Sequence, residues 1–177
     1  PVMESLVKRG LTDTVGVSVY TGEDLDNMLR YDVFTSTQVP MSIFDQRLIQ
    51  KGYISRLKER GVTVFVRSVF MQGLFFMDPE RFTDRDLIDY AAGPIRKIRE
   101  YAEREGMTVA ELAIAFIRDL DGVASLVIGA DTEEQVRSDI RHFQSRRISE
   151  KTLDDIRKTF ENVNIPKIME VLSRPKN

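Results

Sequence analysis

Apolar positions along the chain follow two alternating rhythms. Short runs of apolar and β-branched residues are separated by longer stretches in which apolar residues return every three or four positions, the spacing of one helix face. Met3, Leu6 and Val7 form a first helical stretch that Gly10 stops. Thr14 to Val19, interrupted by Gly16, predicts a strand. Thr21-Gly22-Glu23-Asp24 opens a helix with Leu25, Met28 and Leu29 buried, Thr21 as its cap and Tyr20 stapled onto Leu25. Phe34 to Val39 predicts the second strand, ended by Pro40. One helix then spans Asp45 to Arg60, with Leu48, Ile49, Ile54 and Leu57 inward and Gly61 just past its end. Thr63 to Val69, the most continuous apolar run, predicts a third strand buried on both faces.

Met71 to Asp84 has loop character. A helix covers Arg85 to Glu105, with Ile88, Ala91, Ala92, Ile95, Ile98 and Ala102 on one side and Gly106 at its end. Thr108 and Glu111 form a capping box for a helix that is apolar nearly all round, the mark of deep burial. Ala124 to Ile128 predicts the fourth strand. Thr132 and Gln135 cap a helix running through His142, and Ser149 opens another carrying Leu153, Ile156 and Phe160. The tail from Asn162 is polar, with Pro166 and Pro175, except for an apolar patch from Ile168 to Leu172 that can dock as a last turn. Strands alternating with helices imply right-handed crossovers and a parallel sheet, hence an α/β protein. Residues 1–177 read as a single domain, since no linker-like segment divides them.

Charge narrows the function. Twenty-six Lys and Arg against 28 Asp and Glu give a net charge of −2, which offers no electrostatic footprint for nucleic acid or an anionic membrane. With no Cys and one His, thiolate metal sites, thiol nucleophiles and multi-histidine metal centres are excluded. No apolar run approaches the roughly 18 residues of a membrane span. No secretory leader is visible and cysteines are absent, so a cytoplasmic setting is expected. The opening Pro1-Val2-Met3, without an initiator Met, reads as the start of a fragment.

In parallel α/β folds functional side chains sit at the carboxyl ends of the strands. Those ends carry Ser18-Val19-Tyr20, Ser36-Thr37-Gln38, Arg67-Ser68 and Gly129-Ala130-Asp131-Thr132. Leaving such groups buried and unpaired costs roughly 1–3 kcal/mol each, and a polar ligand would satisfy them. Arg67, set in an apolar strand, needs either a ligand or an acidic partner. The Gly129 turn either opens an anion site at a helix start or serves turn geometry alone.

The same stretches resemble the C-terminal half of an aldo-keto reductase. Gly16-Val17-Ser18-Val19 is similar to the family's fifth-strand G-V-S-N, and Thr37-Gln38 with Pro40-Met41-Ser42 to its sixth-strand N-Q and following tripeptide. Gly61 to Ser68 through Gly73-Leu74 resembles the seventh-strand pattern, Thr108 to Phe116 the following helix, and Ile128-Gly129-Ala130 through Asp139 the eighth-strand turn. The resemblance implies half of a (β/α)8 TIM barrel: about four parallel strands with outer helices, plus C-terminal helices. It also implies an NAD(P)H-dependent reduction of a small carbonyl substrate by the full-length protein, with NADP or NAD as cofactor. Ser18 and Gln38 would hold the nicotinamide carboxamide, and Arg67 takes the place of a Tyr that stacks on the ring. Ser68, Phe70 and Gln72 match the stretch over the pyrophosphate. Gly129, Ala130, Asp131, Gln135 and Asp139 match the turn around adenosine and its 2′-phosphate.

Several positions depart from the family pattern. Val19, Thr37 and Asp139 each replace an Asn, the Gly129 turn lacks the usual Lys-Ser, and Asp131 would repel a 2′-phosphate. The family's catalytic Asp, Tyr, Lys and His come from its first four strands, so this chain is expected to be inactive alone, its partner being the missing N-terminal half-barrel or a second copy. The alternative is a non-catalytic half-barrel scaffold or nucleotide-binding regulatory module. His142 reads as a surface residue, Tyr20, Tyr53 and Tyr101 as packing or surface residues, and residues 70–84 as a mobile cover.

Overall fold

The computed structural model describes residues 2–174; Pro1 and the final residues from Pro175 lie outside it. Four parallel strands form one sheet in the order β1 (Val15–Ser18), β2 (Phe34–Pro40), β3 (Thr63–Arg67) and β4 (Val123–Val127). After α1 (Val2–Lys8), α2 (Gly22–Met28) joins β1 to β2. The β2–β3 crossover holds two helices, α3 (Arg47–Gln50) and α4 (Tyr53–Glu59), where one was expected. Gly52, at φ 70°, breaks them, a left-handed conformation that glycine adopts without steric cost.

The β3–β4 connection is the longest. It contains α5 (Arg85–Leu87), a π-helical turn (Ile88–Ala92), α6 (Gly93–Glu105) and α7 (Val109–Arg118). Pro94 explains the π turn: it has no N–H to give to the carbonyl four residues back, so the helix widens there. Gly106, at φ 60°, ends α6, and the Thr108–Glu111 capping box starts α7. The chain closes with α8 (Glu133–Phe143), α9 (Glu150–Thr159) and α10 (Ile165–Leu172); in α10 Ile165 and Ile168 dock the apolar patch seen in the sequence.

Register partners in a parallel sheet share a face. Thr37 and Val64, and likewise Val39 and Val66, point at the helices and are buried. Ser18, Gln38, Phe65 and Ser125 form a row on the other face, followed by Pro40, Arg67 and Val127. Among the described residues no helix covers the middle of that face: Phe65 is 37% exposed and Val127 44%. The expectation that β3 is buried on both sides therefore fails, because the helices lie on one side of the arc only. α4 packs on β3 and α7 on β4, and every α7 residue from Leu112 to Ile117 is buried. Among the described residues β1 and β4 are each hydrogen-bonded along one edge only.

Candidate functional site

At the carboxyl end of β3 the chain turns sharply. Ser68, Met71 and Gln72 adopt φ of 63°, 48° and 55°, and Gly73 follows at 83°. Left-handed backbone at three non-glycine residues costs of order 1–3 kcal/mol each and persists only where the surroundings impose it. Val69, Met71, Leu74 and Phe75 impose it by inserting into the core. Arg99 also donates to the Met77 carbonyl at 2.7 Å, and Arg96 pairs with Glu80. The segment read as a mobile cover is thus anchored from inside. The N–H groups of Val69, Phe70 and Gln72 donate to no backbone carbonyl among the described residues. Such a cluster of free amides suits an anionic or carbonyl oxygen.

Facing this turn across a cleft of about 590 Å³ is the β4–α8 turn. Ser68, Phe70, Gln72, Gly129, Asp131, Gln135 and Asp139 all line the cleft. Ala130 lies in the same turn, exposed, between two lining residues. A side chain added at Gly129 would meet nothing within 4 Å, so the turn leaves open space beside its backbone. Gln135 is committed to its own helix start: its Oε1 accepts from the Asp131 N–H at 2.6 Å and the Thr132 N–H at 3.3 Å, while Thr132 Oγ1 accepts from the Gln135 N–H. With Glu133 and Glu134 in the first turn, α8 offers little attraction to an anion.

His142, expected at the surface, is half-buried. Its ring lines the cleft rather than the outer surface. Nδ1 is buried without a hydrogen-bond partner among the described residues and lies 3.8 Å from an Asp139 carboxylate oxygen. Nε2 sits 3.4 Å from Ser138 Oγ. The spacing of Ser138, Asp139 and His142, three and four residues apart on one helix, was the available signal.

The remaining expected residues lie on the open face of the sheet. Ser18 Oγ donates to Gln38 Oε1 at 3.4 Å, so the two side chains converge across β1 and β2. The Arg67 guanidinium lies 4.4 Å from the centre of the Tyr20 ring and donates to Ser68 Oγ at 3.3 Å and to the Val19 carbonyl at 3.4 Å. Tyr20 therefore carries Arg67 instead of stapling onto Leu25, and is 68% exposed. A second cleft of about 250 Å³ contains Arg67, with Met41, Met71, Ile165 and Met169 in its walls; Ser68 lines both clefts.

Two departures from the family pattern have structural explanations. Val19 is buried against the helices, and Thr37 donates to the Val17 carbonyl at 3.0 Å, so neither faces the open side. Tyr53 and Tyr101 keep structural roles: Tyr53 donates to Asp26, which raises its pKa, and Tyr101 bonds Thr159.

The family model described as the Aldo/keto reductase family matches residues 1–161. The Uncharacterized oxidoreductase YqkF of Bacillus subtilis (strain 168) is 22% identical over 157 residues, which are 85% of this chain and 51% of that protein. Among solved structures, the aldo-keto reductase AKR11C1 from Bacillus halodurans (holo form) superposes with a TM-score of 0.74 at 22% identity, covering 88% of this chain and 53% of its own. The glycerol dehydrogenase AKR11B4 from Gluconobacter oxydans gives 0.70 at 19%, covering 99% and 54%. The chain spans about half the length of each. Its four parallel strands and helices match half of the (β/α)8 barrel.

Proposed function

The chain belongs to the aldo/keto reductase family, and from that premise we propose that it is the cofactor-gripping part of an oxidoreductase acting on a small carbonyl substrate. The observation that carries this reading is the convergence of Ser68, Phe70, Gln72, Gly129, Asp131, Gln135 and Asp139, distant in sequence, on one cleft. NADP or NAD supplies or accepts the hydride when bound.

The residues present fit such a dinucleotide. The free amides of Val69, Phe70 and Gln72 suit its diphosphate. The open space at Gly129 admits a ribose or base edge. Ser18 and Gln38, polar and adjacent on an otherwise apolar face, suit the carboxamide and would orient the ring. Proton transfer to the substrate oxygen falls to the family's tetrad, which belongs to the half of the barrel that β1 and β4 would adjoin. That half, or a second copy of this chain, would hydrogen-bond the two open edges and cover Phe65 and Val127.

The test is titration with NADPH and NADH, read by fluorescence, on the wild type and Gln38→Ala. Binding by the wild type that the variant loses supports the reading. No binding even by the completed barrel ends it, in favour of a non-catalytic scaffold. No helix among the described residues is long and apolar enough to cross a membrane.

A further inference from the structure

Arg67 is a half-buried cation facing the open side of the sheet. Among the described residues it makes no ion pair: its partners are the Tyr20 ring, the Ser68 hydroxyl and the Val19 carbonyl, all neutral. The one carboxylate in its cleft, Asp45, is bound in bidentate fashion by Arg47 at 2.7 and 2.8 Å. The cleft therefore holds one uncompensated positive charge, kept in place by the aromatic face of Tyr20 rather than by an anion. Beyond the Asp45–Arg47 pair, Met41, Met71, Ile165 and Met169 make much of its wall apolar, which weakens dielectric screening of that charge.

We propose that Arg67 makes the site prefer the reduced nicotinamide cofactor over the oxidised one, and so biases the protein toward carbonyl reduction. This rests on the cofactor reading above, in which Ser18 and Gln38 orient the nicotinamide ring; Arg67 lies on the same open face, on the neighbouring strand, two residues beyond Phe65, the partner of Gln38. The oxidised ring carries a positive charge and the reduced ring is neutral. A guanidinium beside the ring repels the first and leaves the second unaffected. Tyr at this place would reverse the effect, since its π face attracts a cation. The preference resides in affinity, so it is measurable without turnover.

Dissociation constants for NADH and NAD+, and for NADPH and NADP+, are measured by calorimetry on the wild type, Arg67→Met and Arg67→Lys. The wild type binds the reduced forms at least about 10-fold more tightly, a difference of about 1.4 kcal/mol. Arg67→Met narrows that ratio chiefly by strengthening the oxidised forms, and Arg67→Lys keeps it. Wild-type affinities equal within about threefold overturn the inference while leaving the cofactor reading intact. So does an Arg67→Met variant that loses both forms in equal measure, which makes Arg67 a diphosphate clamp. If Arg67→Met does not fold, the wild-type and Arg67→Lys ratios decide. Failure of all four nucleotides to bind, to the completed barrel as well as to this chain, removes the cofactor reading itself.

Discussion

Ser149 Oγ donates to Glu105 Oε1 at 2.5 Å, tying the last residue of α6 to the cap of α9. Thr152 Oγ1 donates to the same oxygen, and Arg146 binds the other at 2.9 Å. Burial pushes the Glu105 pKa up, but the hydrogen bonds from Ser149, Thr152 and Arg146 together outweigh it and hold the carboxyl at about 2.

That carboxylate makes stability pH-dependent. The folded pKa is below the ordinary value of 4.5, so the contribution is complete above pH 4.5 and is lost as pH falls through 2. Its full size is about 3 kcal/mol. Glu105→Gln should lower unfolding free energy by about 2–3 kcal/mol at pH 7. Urea denaturation at several pH values should show the gap between wild type and variant closing toward pH 2.

Gly16 should resist substitution. A Cβ there would lie 2.2 Å from Ser36 Oγ and 2.5 Å from the Ser36 carbonyl oxygen, where β1 meets β2 at a register shift. The backbone itself is in the way, so rotating Ser36 gives no relief. Gly16→Ala should destabilise by about 1–3 kcal/mol, read as a lowered denaturation midpoint. It should also weaken any binding that depends on Ser18, two residues along the same strand.

Phe44 packs at 4.6 Å from Phe75 and 4.9 Å from Phe160, ring centre to ring centre. It joins the segment after β3 to α9, so it supports the strained turn at Ser68–Gln72 from beneath. Phe44→Ala should cost about 3–5 kcal/mol. Thermal melts check the loss, and proteolysis should cut preferentially within residues 70–84 of the variant.

The larger cleft has Asp131 and Asp139 in its wall and no Lys or Arg. A 2′-phosphate placed there meets two carboxylates and neither Lys nor Arg. NADH should therefore bind more tightly than NADPH. Asp131→Asn should narrow the difference by about 10-fold in relative affinity, roughly the effect of removing one close like charge. Parallel titrations with the two nucleotides check this.

The βα order, the helix caps at Thr21, Thr108 and Thr132 and the buried α7 were legible because each follows from local spacing; that Asp24 closes the Thr21 cap into a capping box is seen only in the structure. The break at Gly52 was not legible, since Leu48, Ile49, Ile54 and Leu57 keep a helical period across it. The burial of β3 was misread because composition cannot tell a strand covered on both sides from one whose second cover lies elsewhere. Likewise the residues around the large cleft were named from motif positions, yet His142 was missed because the direction a helix faces depends on what it packs against. Arg67 could be flagged as an oddity in an apolar strand; that Tyr20 and not a carboxylate meets it became visible only in three dimensions.

Amide hydrogen exchange with saturating NADH or NADPH reports whether the turns after β3 and β4 together seat a nicotinamide dinucleotide. Slowed exchange confined to residues 68–73 and 129–135, with the helices on the far side of the sheet unchanged, is the predicted result. Exchange in both turns that stays the same while nucleotide is demonstrably bound would contradict it.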